Sequence, residues 1–149
     1  VESGRASLFM ARAAMAYGGH VVGIDINHCQ VDAENYHFIH GDSTSSNVFR
    51  EVMSIVSKYG AIGLVYQDSS HHYEASRREW SLYSQLLDFG AVWICDDITP
   101  AFHDPLIDPP GLGMVQYFEA LPGDKRLYPD VLHNGNRQGI ILPEVLRTE

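Results

Sequence analysis

The chain has 149 residues, 45% of them hydrophobic, and nineteen acidic residues outnumber ten Lys and Arg to give a formal net charge of -9. That length suits one globular domain, 1–149, with a single core, and the acidic balance, with Arg77-Arg78 the only adjacent basic pair before the C-terminal third, argues against nucleic acid as a partner. No apolar run reaches the roughly 20 residues that span a bilayer, and the N-terminus lacks the basic and apolar regions of a signal peptide.

Residues 5–17 form a predicted helix rich in Ala, Met and Leu, stopped by Gly18-Gly19. Val21 to Asp25 is a predicted strand, and Tyr36 to His40 a second that ends at Gly41-Asp42. Over 46–58 the apolar residues Val48, Phe49, Val52, Ile55 and Val56 fall at helical spacing. Ile62 to Tyr66 is the third strand, Tyr73 to Leu87 the longest helix, and Phe89-Gly90 leads into a strand from Ala91 to Cys95. The Pro-rich stretch from Thr99 to Gly113 carries too many turn formers for regular structure and reads as a long loop, the kind that often walls a substrate site. Met114 to Leu121 is a short helix. Leu127 to His133 and Gly139 to Leu142 are strands able to pair as an antiparallel hairpin across Asn134-Gly135-Asn136.

This alternation predicts an α/β fold: a Rossmann-like, doubly wound, mostly parallel sheet with helices on both faces and a C-terminal antiparallel hairpin. Such folds open with an apolar strand feeding a glycine turn, whereas this sequence begins at Val1-Glu2-Ser3-Gly4, inside that turn. The first strand is therefore expected to be missing and the chain to be truncated at its N-terminus. An open sheet edge would invite association into a homo-oligomer. Cys29 and Cys95 are the only cysteines, and Cys95 lies inside an apolar strand, where a buried reduced thiol is usual; a reducing, cytoplasmic location fits best.

In an open α/β sheet, ligands bind outside the carboxyl ends of the strands, so acids delivered there converge. Gly4 opens a helix whose N-terminal donors could face a ligand. Asp25 ends the next strand about 20 residues on, the spacing at which an acid takes ribose hydroxyls, although an Asx turn would also account for it. Asp42, in Gly41-Asp42-Ser43-Thr44, could read an adenine amino group or cap the helix that follows.

Asp68, Asp96 and Asp97 end two neighbouring strands. Three acids so close repel one another unless a cation relieves them, and oxygen-only donors suit Mg²⁺. Of His71 and His72, one can stand near metal and substrate as a general base, while the other is a surface or capping residue. The remaining histidines are not at zinc-ligand spacings, and Ser69-Ser70-His71 lacks a Gly-x-Ser-x-Gly elbow.

The segments Gly4-Arg5-Ala6-Ser7-Leu8, Val22-Gly23-Ile24-Asp25-Ile26, Cys29-Gln30, His40-Gly41-Asp42-Ser43, Asp68-Ser69-Ser70-His71 and Asp96-Asp97-Ile98 resemble class I S-adenosylmethionine-dependent methyltransferases. Within that class they look most like the cephalosporin hydroxylase and rhamnosyl O-methyltransferase family, over roughly residues 1 to 100. The resemblance implies that Ser3, Gly4, Asp25 and Ile26 hold the methionine moiety and ribose of the cofactor, with Asp42 and Ser43 beside adenine. It also implies Mg²⁺ at Asp68, Asp96 and Asp97, with His71 near the acceptor hydroxyl. The expected reaction is O-methylation of a small molecule or sugar, with Asp68 and His71 catalytic and the loop carrying Phe102, His103 and Leu106 closing over the acceptor. Two other readings stand beside it: a non-catalytic adenosine-nucleotide binding module, and another Rossmann-fold enzyme such as an NAD-dependent oxidoreductase.

Overall fold

A computed structural model describes residues 4–100, 104–129 and 137–142. The chain divides into two compact units, Val1–Gly60 and Ala61–Glu149.

The first unit holds helix α1 (Arg5–Met15), strands β1 (Val21–Asp25) and β2 (Tyr36–His40), and helix α2 (Ser46–Tyr59). α1 ends two residues before the predicted boundary, because Gly18 turns left-handed (φ 69°) and the amides of Tyr17 and Gly19 return to Ala14 O. β1 and β2 pair in parallel with Asp25 opposite His40, and Gly41 N donates to Asp25 O at 2.9 Å, so both strands deliver their carboxyl ends to one edge. The buried Asn35 side chain donates to Ala11 O and Gly19 O, both at 2.8 Å, tying α1 to the turn before β1. α2 starts where Ser45 Oγ accepts from Val48 N and buries Val48 and Val52, as the apolar spacing requires.

The second unit holds β3 (Ile62–Gln67), α3 (Tyr73–Tyr83), β4 (Leu87–Cys95), α4 (Met114–Ala120), β5 (Asp124–Pro129) and β6 (Arg137–Leu142). Its sheet runs β3-β4-β6-β5, with β3 and β4 parallel and β6 antiparallel to both β4 and β5. The predicted α/β class, parallel pairing and C-terminal hairpin are all observed. α3 stops at Tyr83 because Ser84–Leu86 tighten into a 3-10 turn. β4 starts at Leu87 rather than Ala91: Ile62 pairs with Leu87 and Leu64 with Val92, so Phe89-Gly90 are absorbed in a bulge where Gly90 has φ 77°. β5 lies earlier than the apolar residues suggest, since pairing begins at Asp124 opposite Leu142. All of β5 is exposed, so an edge strand of Asp, Lys and Arg meets no burial penalty. The predicted turn Asn134-Gly135-Asn136 lies outside the described residues.

Trp93, Cys95, Ile98, Met114, Tyr117 and Ile141 form the centre of this unit's core. Gly139 on β6 supports the Phe118 ring, since a Cβ there would meet Phe118 Cε2 at 2.3 Å. Among the described residues, no helix is long and apolar enough to cross a membrane.

Candidate active site

The acids of the first unit sit at the shared edge of β1 and β2. Asp25 Oδ1 accepts from Asn27 N at 2.7 Å, forming the Asx turn that leads the chain away through Ile26, which is 68% exposed. Asp42 is exposed, and its Oδ1 takes the amide and hydroxyl of Thr44 at 2.8 and 2.7 Å. Gly4 is left-handed (φ 65°) and buried at the head of α1; a Cβ there would stand 2.9 Å from Cys29 Sγ, so only glycine lets the helix start so close to that loop. Ser3 lies outside the described residues. A separate open depression of about 500 Å³, lined by His28, Cys29, Asp32, Tyr36 and Phe38, contains neither Asp25 nor Asp42.

In the second unit, the strand pairing that places Gln67 opposite Cys95 brings Asp68 and Asp96 to the same sheet edge, and Asp96 N continues the ladder to Gln67 O at 2.9 Å. Just beyond them the chain takes two costly turns. His71 (φ 56°) and Asp97 (φ 53°) are both left-handed, worth roughly 1–2 kcal/mol each for residues with a Cβ. These turns bring His71 Nε2 to 3.4 Å from Asp68 Oδ1 and 3.7 Å from Asp97 Oδ2. Burial alone would lower the imidazole pKa, but the bond to Asp68 and the charges of Asp97, Asp68 and Asp96 outweigh it, and the net shift is upward from 6.5. Two carboxylates facing Nε2 favour a proton on that atom, the tautomer in which Nδ1 is the basic one.

Asp96 does not face His71 in the same way. Its Oδ2 accepts the Tyr66 hydroxyl at 2.5 Å and its Oδ1 takes Asp97 N at 3.0 Å. Burial first, then the Asp96 bond, push the Tyr66 pKa well up. Among the described residues no three His, Cys, Asp or Glu stand together as a metal-holding group. Asp68 and Asp97 flank His71 Nε2, while Asp96 accepts the Tyr66 hydroxyl. Two carboxylates of this kind still suit Mg²⁺, which takes one or two such ligands and keeps several waters.

The two histidines separate cleanly. His72 turns away, with Nδ1 3.6 Å from Asp108 Oδ2. Asp108, 5% exposed, also accepts Tyr73 N at 2.8 Å on Oδ1 and Asp104 N at 2.9 Å on Oδ2. Burial raises its pKa, but those two backbone donors and His72 reverse the effect and leave it lowered. The 104–113 stretch is therefore anchored to the start of α3, while Leu106, expected to cover the acceptor, is 93% exposed. Phe102 and His103 lie outside the described residues.

Sequence reasoning missed the polar floor under this edge. Gln67 Oε1 accepts from Trp93 Nε1 at 3.0 Å, Tyr117 Oη at 2.8 Å and Cys95 Sγ at 3.5 Å, while Gln67 Nε2 donates to Glu79 Oε2 at 2.6 Å. Glu79 Oε2 also accepts Ser69 Oγ at 2.8 Å. Burial pushes the Cys95 thiol up to about 12, so it serves as a packing group. A polar Gln at a strand end and a Glu twelve residues on gave no periodic signal of burial.

Parallel strands that carry acids at their carboxyl ends, with helices among them, are the Rossmann-like α/β pattern. The sequence profile of a methyltransferase-domain family matches residues 1–98, and the chain belongs to that family. No curated protein sequence matches it. Among solved structures it is similar to MycE methyltransferase from the mycinamycin biosynthetic pathway. The complex with Mg, SAH and mycinamycin VI aligns at 16% identity and TM-score 0.57, and the complex with Mg and SAH in crystal form 1 at 18% and 0.51; each alignment covers 81% of this chain and 36% of that one. The apo form of CalS11, a TDP-rhamnose 3'-O-methyltransferase, aligns more loosely, at 17% identity and TM-score 0.41, over 70% of this chain and 41% of that one. The chain thus spans about a third of the length of the MycE structures it resembles.

Proposed function

We propose that this chain carries out S-adenosylmethionine-dependent O-methylation of a hydroxyl on a small molecule or sugar. The observation that carries the reading is a half-buried histidine held by two aspartates at the ligand edge of a methyltransferase-family domain. In the first unit, Ser3, Gly4, Asp25 and Ile26 would take the methionine moiety and ribose, and Asp42 and Ser43 the adenine. In the second, His71 is the base. As the acceptor oxygen attacks the sulfonium methyl carbon in line, the carbon–sulfur pair leaves with sulfur to give S-adenosylhomocysteine, and the hydroxyl proton passes to His71 Nδ1. Asp68 and Asp97 fix the ring through Nε2 and stabilise the imidazolium that forms, the role a buried carboxylate has in other acid–base triads.

The MycE complexes that contain Mg support a cation here, and Asp68 and Asp97 are the residues that would hold it. When bound it would lower the pKa of the acceptor hydroxyl. Calorimetric titration of S-adenosylmethionine and S-adenosylhomocysteine, with and without Mg²⁺, tests the reading. Saturable binding that weakens in Asp25→Ala is expected, followed by methyl transfer in a screen of hydroxylated sugars. Absence of binding, or normal transfer by Asp68→Ala, would overturn it.

A further inference from the structure

The loop Asp68–His72 hangs between two buried carboxyl groups that come from elsewhere in the fold. At one end, Ser69 Oγ donates to Glu79 Oε2, a side chain only 4% exposed on α3. At the other, Tyr73 N donates to Asp108 Oδ1, 5% exposed in the segment before α4. Only Ser70, His71 and His72 lie between the two ties, and His71 is the residue forced left-handed. A conformation disfavoured for a residue with a Cβ persists only where its surroundings over-determine it. A buried carboxyl group is equally disfavoured unless its hydrogen bonds are supplied, and an apolar residue would fill the Glu79 site at less cost. The two disfavoured features account for each other.

The geometry points to Glu79 and Asp108 as positioning residues that clamp this loop from both ends and hold His71 in place; this rests on the reading of His71 as the base. Gln67 extends the clamp into the core. Its amide nitrogen donates to the same Glu79 oxygen, and its carbonyl is fixed by Trp93 and Tyr117. The carboxyl group that holds Ser69 therefore cannot swing without disturbing the core. Ser69 is only partly buried, unlike Gln67, Glu79, Trp93, Tyr117 and Asp108, which makes it the side chain to alter.

Ser69→Ala removes that single tie, and Ser69→Thr keeps the hydroxyl. Hydrogen–deuterium exchange followed by mass spectrometry reads the effect without any need for turnover. The peptide covering residues 68–73 should exchange about tenfold faster in Ser69→Ala, with β4 and α4 unchanged and protection restored in Ser69→Thr. In S-adenosylmethionine-dependent turnover, kcat should fall with the same variant and recover with Thr, while KM for the cofactor stays constant. Unchanged exchange in Ser69→Ala, or exchange rising equally across the unit, would overturn the clamp. A loosened loop with unchanged kcat would overturn its positioning role. Failure of the parent protein to bind cofactor would instead count against the methyltransfer reading, and the exchange data would still decide the clamp.

Discussion

Replacing Gln67 by Leu tests the account of the buried floor most directly. The substitution roughly preserves volume but takes the acceptor away from Trp93 Nε1 and Tyr117 Oη, whose residues are 0% and 1% exposed. Each buried donor left without a partner costs about 1–3 kcal/mol, so the pair should cost about 2–6 kcal/mol. Domains of this size are stable by roughly 5–15 kcal/mol, which makes this a large loss. Urea unfolding followed by tryptophan fluorescence would show the midpoint falling with the slope unchanged. Tyr117→Phe added to Gln67→Leu removes one orphan along with its bond, so the double variant should be more stable than the sum of the single losses predicts by about 1 kcal/mol or more. A loss below about 0.5 kcal/mol in Gln67→Leu would refute the reasoning, because it would mean that both donors find other partners at no cost.

As the proposed base, His71 would couple activity to pH. Since its pKa is raised above 6.5, methyl transfer should fall as pH drops through that raised value, and Asp68→Asn should move the acid limb of kcat/KM to lower pH; a limb that stays in place would exclude His71 as the base. The stability linkage runs the other way. The fold favours protonated imidazole, so its contribution is complete below about 6.5 and is lost as pH rises through the folded value, a trend readable in urea midpoints of the parent against His71→Gln. Mg²⁺ attracted to Asp68 and Asp97 competes with the proton on His71, so calorimetry should find tighter Mg²⁺ binding as pH rises; equal affinity at pH 6 and 8, values chosen to bracket an ordinary histidine, would remove both aspartates as ligands. Gly139→Ala drives a methyl into the Phe118 ring and should cost about 1–3 kcal/mol in the same unfolding assay. No measurable loss there would show that α4 moves aside freely.

The strands were legible because their signal is local. Apolar runs ending in Asp25, Asp68 and Asp96 are observed as parallel strands, each acid lying at the carboxyl end of its strand within its own unit. The proximity of Asp68, His71 and Asp97 was half legible: spacing brought the residues to one edge, but His72 meets Asp108 instead, a residue distant in sequence and hidden among prolines. Asp96 looked equivalent to Asp97, but Asp96 accepts the Tyr66 hydroxyl whereas Asp97 turns left-handed and faces His71. The Gln67–Glu79 pair was illegible for another reason: polar residues at half-exposed helix and strand positions are ordinarily solvated, and nothing in their neighbours' types reveals burial. β5 was expected to start at Leu127 rather than Asp124 because an exposed edge strand needs no apolar pattern.

Helix α3 has no side-chain cap of its own at His72, and its first amide is satisfied instead by a residue 35 positions further along. Most helices can complete their first turn from local sequence, but this one must wait for a long-range closure whose entropic cost grows with the intervening chain. During synthesis the start of α3 would therefore stay frayed until Asp108 had left the ribosome. The first turn of α3 would form together with the segment around Asp108, making the histidine loop late to settle.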